Sequence, residues 1–184
     1  FLKKNPLWHN FINLMHDKQF IDDALKLFND EIKSRIIKYF FRKNKYKERV
    51  SNIVVETAFS ARGNNSNIPP HTDAGGKILS LLLYFPEEGW SENNKGQTLF
   101  FASKNGRKGG NRKWRKLGKI NTSVNTSLLR KSFYDGFSVF KKSKYIPNML
   151  AGFVKNDYSW HSLNDVHCEK GSYRKVFMIN IKAK

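Results

Sequence analysis

Asn67 to Asp73 reads NIPPHTD, and after a short Ala-Gly-Gly break Lys77 to Phe85 reads KILSLLLYF. Each proline locks its own φ and pushes the residue before it toward extended geometry. The first segment is therefore expected as a strand, with His71 and Asp73, two apart, on one face. The second is a short apolar run closed by a proline, the pattern of a buried strand. Similar β-branched or aromatic runs occur at Asn52 to Phe59, Gln97 to Phe101, Ile146 to Val154 and Tyr173 to Ile181, bounded by Gly, Pro and Asn clusters. Upstream the period changes. From Pro6 to Phe41 the apolar residues Trp8, Phe11, Ile12, Met15, Phe20, Ile21, Ala24, Leu25, Phe28, Ile32 and Ile36 fall at helical spacing. Two helices are expected there, with Asp17 as N-cap between them and the basic stretch Arg42 to Lys47 ending the second. Helices first and strands afterwards predict a mainly-β α+β layout, or a β-sandwich with a helical buttress.

The 184 residues predict one domain, with residues 1–50 as helical support and 51–184 as a β core. Fifteen Phe and an aromatic share of 14% exceed what a disordered chain carries, despite 27% charged residues. The net charge of +19 favours anionic partners. Twenty-five of the 34 cationic residues are Lys and Asn occurs nineteen times, a bias that AT-rich coding produces without selection for binding. The cations concentrate in one place: Asn93 to Tyr134 holds eleven Lys and Arg and no acidic residue. This reads as a basic insertion at about 102–145, either a solvated loop or a lid over an anionic substrate with Trp114 available for stacking. A single cysteine, Cys168, excludes an intrachain disulfide framework and fits a reducing, cytoplasmic setting. No apolar run approaches the roughly 20 residues of a membrane span. The chain begins at Phe1, so the native N-terminus, with any signal or targeting sequence, is expected to lie upstream.

The candidate chemistry starts from His71 and Asp73. About ninety residues on, Tyr158 to Ser162 (YSWHS) offers His161 in a strand-like setting, and Arg174 opens the final strand, RKVFMINI. His167 is the rival to His161, but the loop around it is too polar for a strand. Lys175 is the rival to Arg174, which shares a strand face with Val176, Met178 and Asn180. His9 and His16 fall in the helical segment and read as structural. Two histidines and one carboxylate make the facial triad that suits non-haem Fe(II). A guanidinium in the same barrel suits the distal carboxylate of a dicarboxylic acid.

Taken in order, HTD, KILSLLLYF, KGQTLFF, IPNMLAGFV, SWHS and YRKVFMINI resemble the Fe(II)/2-oxoglutarate-dependent oxygenases, in their prolyl 4-hydroxylase-like branch, over Ile53 to Ile181. That resemblance implies a double-stranded β-helix, a jelly roll with N-terminal helices packed on one sheet. It implies that His71, Asp73 and His161 hold iron, and that Arg174, with the Tyr84 hydroxyl, binds the C5 carboxylate of 2-oxoglutarate. The implied cofactors are Fe(II), 2-oxoglutarate and O₂, with ascorbate as an auxiliary reductant. The implied activity is hydroxylation of an unactivated C–H with release of succinate and CO₂. Halogenation is disfavoured, because halogenating relatives lack the carboxylate that Asp73 supplies. Two features depart from the family pattern: a Gly-Gly-x-Thr segment is here Gly96-Gln97-Thr98, and Val176 stands where several branches carry Ser or Thr.

The expected substrate is a protein side chain, a sugar or another small metabolite, anionic if the basic insertion faces it, because a fold does not fix its substrate. Two alternatives remain. An AlkB-like nucleic-acid demethylase carries a second arginine six residues after the 2-oxoglutarate-binding one, and position 180 is Asn180. A non-catalytic jelly roll binding polyanions would release them steeply with salt.

Overall fold

The computed structural model describes residues 5–33, 53–73, 76–104, 134–156 and 158–183. Helix α1 (Pro6–His16) starts with proline in its first turn, where the missing N–H costs nothing. Helix α2 (Lys18–Leu27) follows at once, because the Asp17 side chain accepts from the Gln19 N–H at 2.8 Å and caps it. The upstream expectation of two helices hinged on Asp17 is met over these residues; its continuation to Phe41, and the basic stretch after it, lie outside the described residues.

Eight strands follow: β1 (Ile53–Arg62), β2 (Ile68–His71), β3 (Lys77–Tyr84), β4 (Thr98–Ser103), β5 (Phe137–Lys142), β6 (Leu150–Val154), β7 (His161–Leu163) and β8 (Arg174–Ala183). Among the described residues they form two four-stranded antiparallel sheets, ordered β1-β8-β3-β6 and β2-β7-β4-β5. The protein is mostly sheet, with few helices. β5 falls inside the stretch read from sequence as a basic insertion, and Ala102 and Ser103 complete β4. Residues 105–133 of that stretch, Trp114 among them, lie outside the described residues.

Alternation along β8 explains how the layers stack. Phe177, Ile179 and Ile181 point to one side, where with Leu79, Leu81 and Val154 they pack under Trp8, Phe11, Phe20, Ile21 and Leu25 of the helices. The helices thus cover the outer face of the first sheet. Trp8 and Phe11 make ring contacts with Phe177 at centroid distances of 6.0 and 5.2 Å. The other side of β8 carries Arg174, Val176, Met178 and Asn180, and Val176 packs with Tyr84 and Tyr145. Polar residues on this side are buried: Arg174 is 5% exposed and Ser80 2%. Buried polar groups need partners, and these partners build the site.

Candidate functional site

β7 is three residues long and lies between β2 and β4. His161 stands directly opposite His71 on β2 and opposite Phe100 on β4. Directly opposed residues of antiparallel strands share a face, so His71, His161 and Phe100 form one row across the second sheet. In the first sheet Ser80 stands opposite Phe153 on β6 and Asn180 on β8, forming another row. The two rows meet. Phe153 lies 4.4 Å from the His161 ring and 5.6 Å from Phe100, centroid to centroid, while the two imidazoles are 4.2 Å apart.

Asp73 lies just past the end of β2 and joins the two rows. Ser80 Oγ donates to its Oδ2 at 2.6 Å and Lys77 Nζ to its Oδ1 at 3.0 Å. One ligand atom from each of His71, Asp73 and His161 lies within 4.8 Å of the others. Neighbouring ligand atoms about 2.1 Å from one ion stand roughly 3 Å apart, so loading draws these three atoms closer together. Both histidines are aimed by the same device: Nδ1 of His71 is 2.9 Å from the Pro69 carbonyl, and Nδ1 of His161 is 3.0 Å from that of Ser159. A carbonyl only accepts, so each Nδ1 carries a proton and Nε2 is the ring atom left to face a metal. Burial, reinforced by the neighbouring His71, pulls the His161 pKa down to about 4, so this ring is neutral at pH 7. Burial works against the Asp73 carboxylate, but the Ser80 hydroxyl, His161 and Lys77 outweigh it and leave its pKa below the ordinary value. Two imidazoles and a carboxylate are a fitting donor set for a first-row divalent metal.

A second polar cluster shares the interior. Arg174 donates from Nε to the Gly96 carbonyl at 2.5 Å and from Nη2 to Thr98 Oγ1 at 3.3 Å. Its guanidinium lies 5.4 Å from the Tyr84 ring centroid and 5.3 Å from that of Tyr145. No carboxylate of the described residues pairs with it; besides Gly96 and Thr98, its hydrogen-bonding neighbour is the Tyr84 hydroxyl. Burial accordingly lowers its pKa, partly offset by the two tyrosines. Gly96 is required here: its φ is +85°, and a Cβ would sit 3.2 Å from Arg174 Cδ. Tyr84 is fully buried; its hydroxyl donates to Ser143 Oγ at 2.9 Å and lies 2.8 Å from Thr98 Oγ1. Such an enclosed, unpaired fork fits a carboxylate.

The structure thus brings His71, Asp73 and His161 together, and places Arg174 and Tyr84 in contact with each other. His167 is exposed, 3.5 Å from Lys95 Nζ, and outside both clusters. His9 and His16 lie exposed on α1. Cys168 donates its thiol to the Ser172 carbonyl. Sequence reasoning missed Tyr145, Lys77 and Ser80. Ser80 alone carried a signal, as the one polar residue within the apolar run of β3.

No family model and no curated protein matches the sequence. Among solved structures, the chain is similar to a prolyl-4-hydroxylase of Pseudomonas putida at 14% identity and a TM-score of 0.43, covering 71% of this chain and 52% of that one. It is similar to a prolyl 4-hydroxylase structure from Phytophthora capsici at 14% identity and a TM-score of 0.45, covering 94% and 42%. The chain therefore spans about half the length of these proteins or less.

Proposed function

We propose that this chain is an Fe(II)- and 2-oxoglutarate-dependent oxygenase of the prolyl 4-hydroxylase-like kind, hydroxylating a C–H bond of a protein side chain, a sugar or a small metabolite. The reading takes the two sheets as a double-stranded β-helix, the eight-stranded jelly roll made of two Greek keys. The observation that carries it is the meeting of His71, Asp73 and His161 between facing sheets, in an interior that also encloses the unpaired guanidinium of Arg174.

His71 and His161 would present their Nε2 atoms and Asp73 a carboxylate oxygen to the iron, leaving positions open for other ligands. When bound, Fe(II) with 2-oxoglutarate supplies the activation of O₂ and the oxidation of the substrate carbon. The protein supplies geometry and electrostatics. Pro69 and Ser159 carbonyls hold the imidazole tautomers, and Ser80 orients the carboxylate. Arg174 would take the distal carboxylate of 2-oxoglutarate with N–H groups not bound to Gly96 or Thr98, and Tyr84 would add its hydroxyl by turning its proton away from Ser143. Tyr145 walls the guanidinium; its own hydroxyl bridges the Lys175 backbone, accepting from N–H at 2.7 Å and donating to the carbonyl at 3.1 Å. Phe100 and Phe153 close the interior beside His161 and keep water from the metal.

Anaerobic addition of Fe(II) and 2-oxoglutarate tests the reading. The expected result is a weak visible charge-transfer band that fades on an oxygen pulse and yields succinate. A well-folded protein that gives no band overturns it.

A further inference from the structure

We propose that Lys77 sets the metal affinity of this site, by opposing the ion at the Asp73 carboxylate; the inference rests on the metal-binding reading above. Lys77 opens β3, four residues after Asp73, and its ammonium lies 3.0 Å from Oδ1. The pair is largely enclosed, with side chains 20% and 10% exposed. Ser80 holds the other oxygen, Oδ2, at 2.6 Å. Asp73 is therefore bound on both oxygens before any metal arrives.

The two neighbours act in opposite directions. A carboxylate offers about four lone-pair sites, so the neutral Ser80 hydroxyl can stay in place, fix the carboxylate and favour coordination. The ammonium carries a full positive charge. A divalent ion coordinated by Asp73 Oδ1 would stand within roughly 5 Å of it and one on Oδ2 within roughly 7 Å, both inside the Debye length of about 8 Å and in a medium less polar than water. Loading must displace the ammonium from Oδ1 or accept the repulsion, and both weaken binding. The same ammonium also fixes the orientation of the Asp73 carboxylate through its bond to Oδ1. Lys77 is a positioning residue: it acts through Asp73.

The test is anaerobic titration of the full chain with Co(II), read by calorimetry and by the visible absorption of the bound ion, in the parent chain and in Lys77→Met, Lys77→Arg and Lys18→Met variants. Lys18 pairs with Asp22 on α2 and serves as a control lysine remote in sequence from the ligands. The Lys77→Met chain should bind Co(II) at least tenfold more tightly, about 1.4 kcal/mol. Lys77→Arg, which keeps the charge, and Lys18→Met should both stay within about threefold of the parent. Equal or weaker binding by Lys77→Met, beside a parent chain that binds, overturns this inference and leaves the oxygenase reading standing. A folded parent chain that binds no Co(II) overturns both.

Discussion

Replacing Arg174 by methionine separates what this residue does for the fold from what it does for a ligand. The side chain is 5% exposed and makes two hydrogen bonds, to the Gly96 carbonyl and Thr98 Oγ1. Losing two bonds from a charged donor costs about 3 kcal/mol. Against that, the variant no longer buries an uncompensated cation, a penalty of several kcal/mol that a well-packed apolar side chain of similar length avoids. The balance leaves stability within about 2 kcal/mol of the parent, which for a chain of this size shifts the unfolding temperature by no more than roughly 8 °C. Ligand binding should change far more. A carboxylate held by a guanidinium fork loses about 1.5 to 3 kcal/mol when the fork is removed, or about ten- to hundredfold in affinity. The assay is calorimetric titration of 2-oxoglutarate into Mn(II)-loaded protein, alongside thermal unfolding of the same samples. Arg174→Lys should fall between, because it keeps the charge and loses the planar fork. Unchanged affinity in a stable Arg174→Met chain would refute the anchoring role. A large fall in unfolding temperature would show instead that the guanidinium belongs to the fold.

Four further outcomes follow from the geometry. His71→Ala or Asp73→Ala should abolish Co(II) binding and succinate formation while the circular dichroism of the folded chain is retained; turnover at the parent rate would remove either residue from the ligand set. Ser80→Ala, which deletes the 2.6 Å bond to Asp73, should weaken metal binding by about ten- to hundredfold, the effect expected of a group that orients a ligand. Gly152→Ala would put a Cβ 2.6 Å from Phe28 and 2.8 Å from Leu81, so thermal unfolding should report a loss of about 1 to 3 kcal/mol by overpacking. Stripping bound metal with a chelator should lower the unfolding temperature, by about 2.7 kcal/mol of stability where free metal had stood at a hundred times its Kd.

Parts of this fold are written locally and parts are not. β3 and β8 are legible because their apolar runs need no distant partner to be recognised as buried. β5 is not: FSVFKK is exposed at five of its six positions, so it lacks the inside-outside alternation that marks a strand, and pairing with β4 defines it. His71 and Asp73 could be read together because they lie two residues apart, although β2 ends at His71, so the expected shared strand face is not formed and Asp73 follows the strand. His161 stands ninety residues away, and only the β2–β7 register puts it opposite His71. Tyr145 and Lys77 gave no signal at all, since a tyrosine beside a guanidinium and a lysine beside a carboxylate are ordinary until the chain is folded.

Ser80 marks where local and global information meet. A hydroxyl in the middle of a buried apolar strand is costly unless something accepts from it, and along this face of the first sheet Ser80, Asn180 and Arg174 all break the apolar pattern. Their acceptors lie in different places: Asp73 for Ser80, at the His71, Asp73 and His161 cluster, and Gly96 with Thr98 for Arg174. Ser80 and Tyr84 share the inward face of β3 four residues apart, which at about 3.3 Å per residue separates their backbones by roughly 13 Å. The polar interruptions are therefore not scattered. They stand at two separated points of one interior, a cluster of metal-ligand type at the first and an unpaired cation at the second, and Leu82 between them is apolar. An interior so divided suits a ligand with a chelating group at one end and an acid group at the other, which would supply the counter-ion that Arg174 lacks among the described residues.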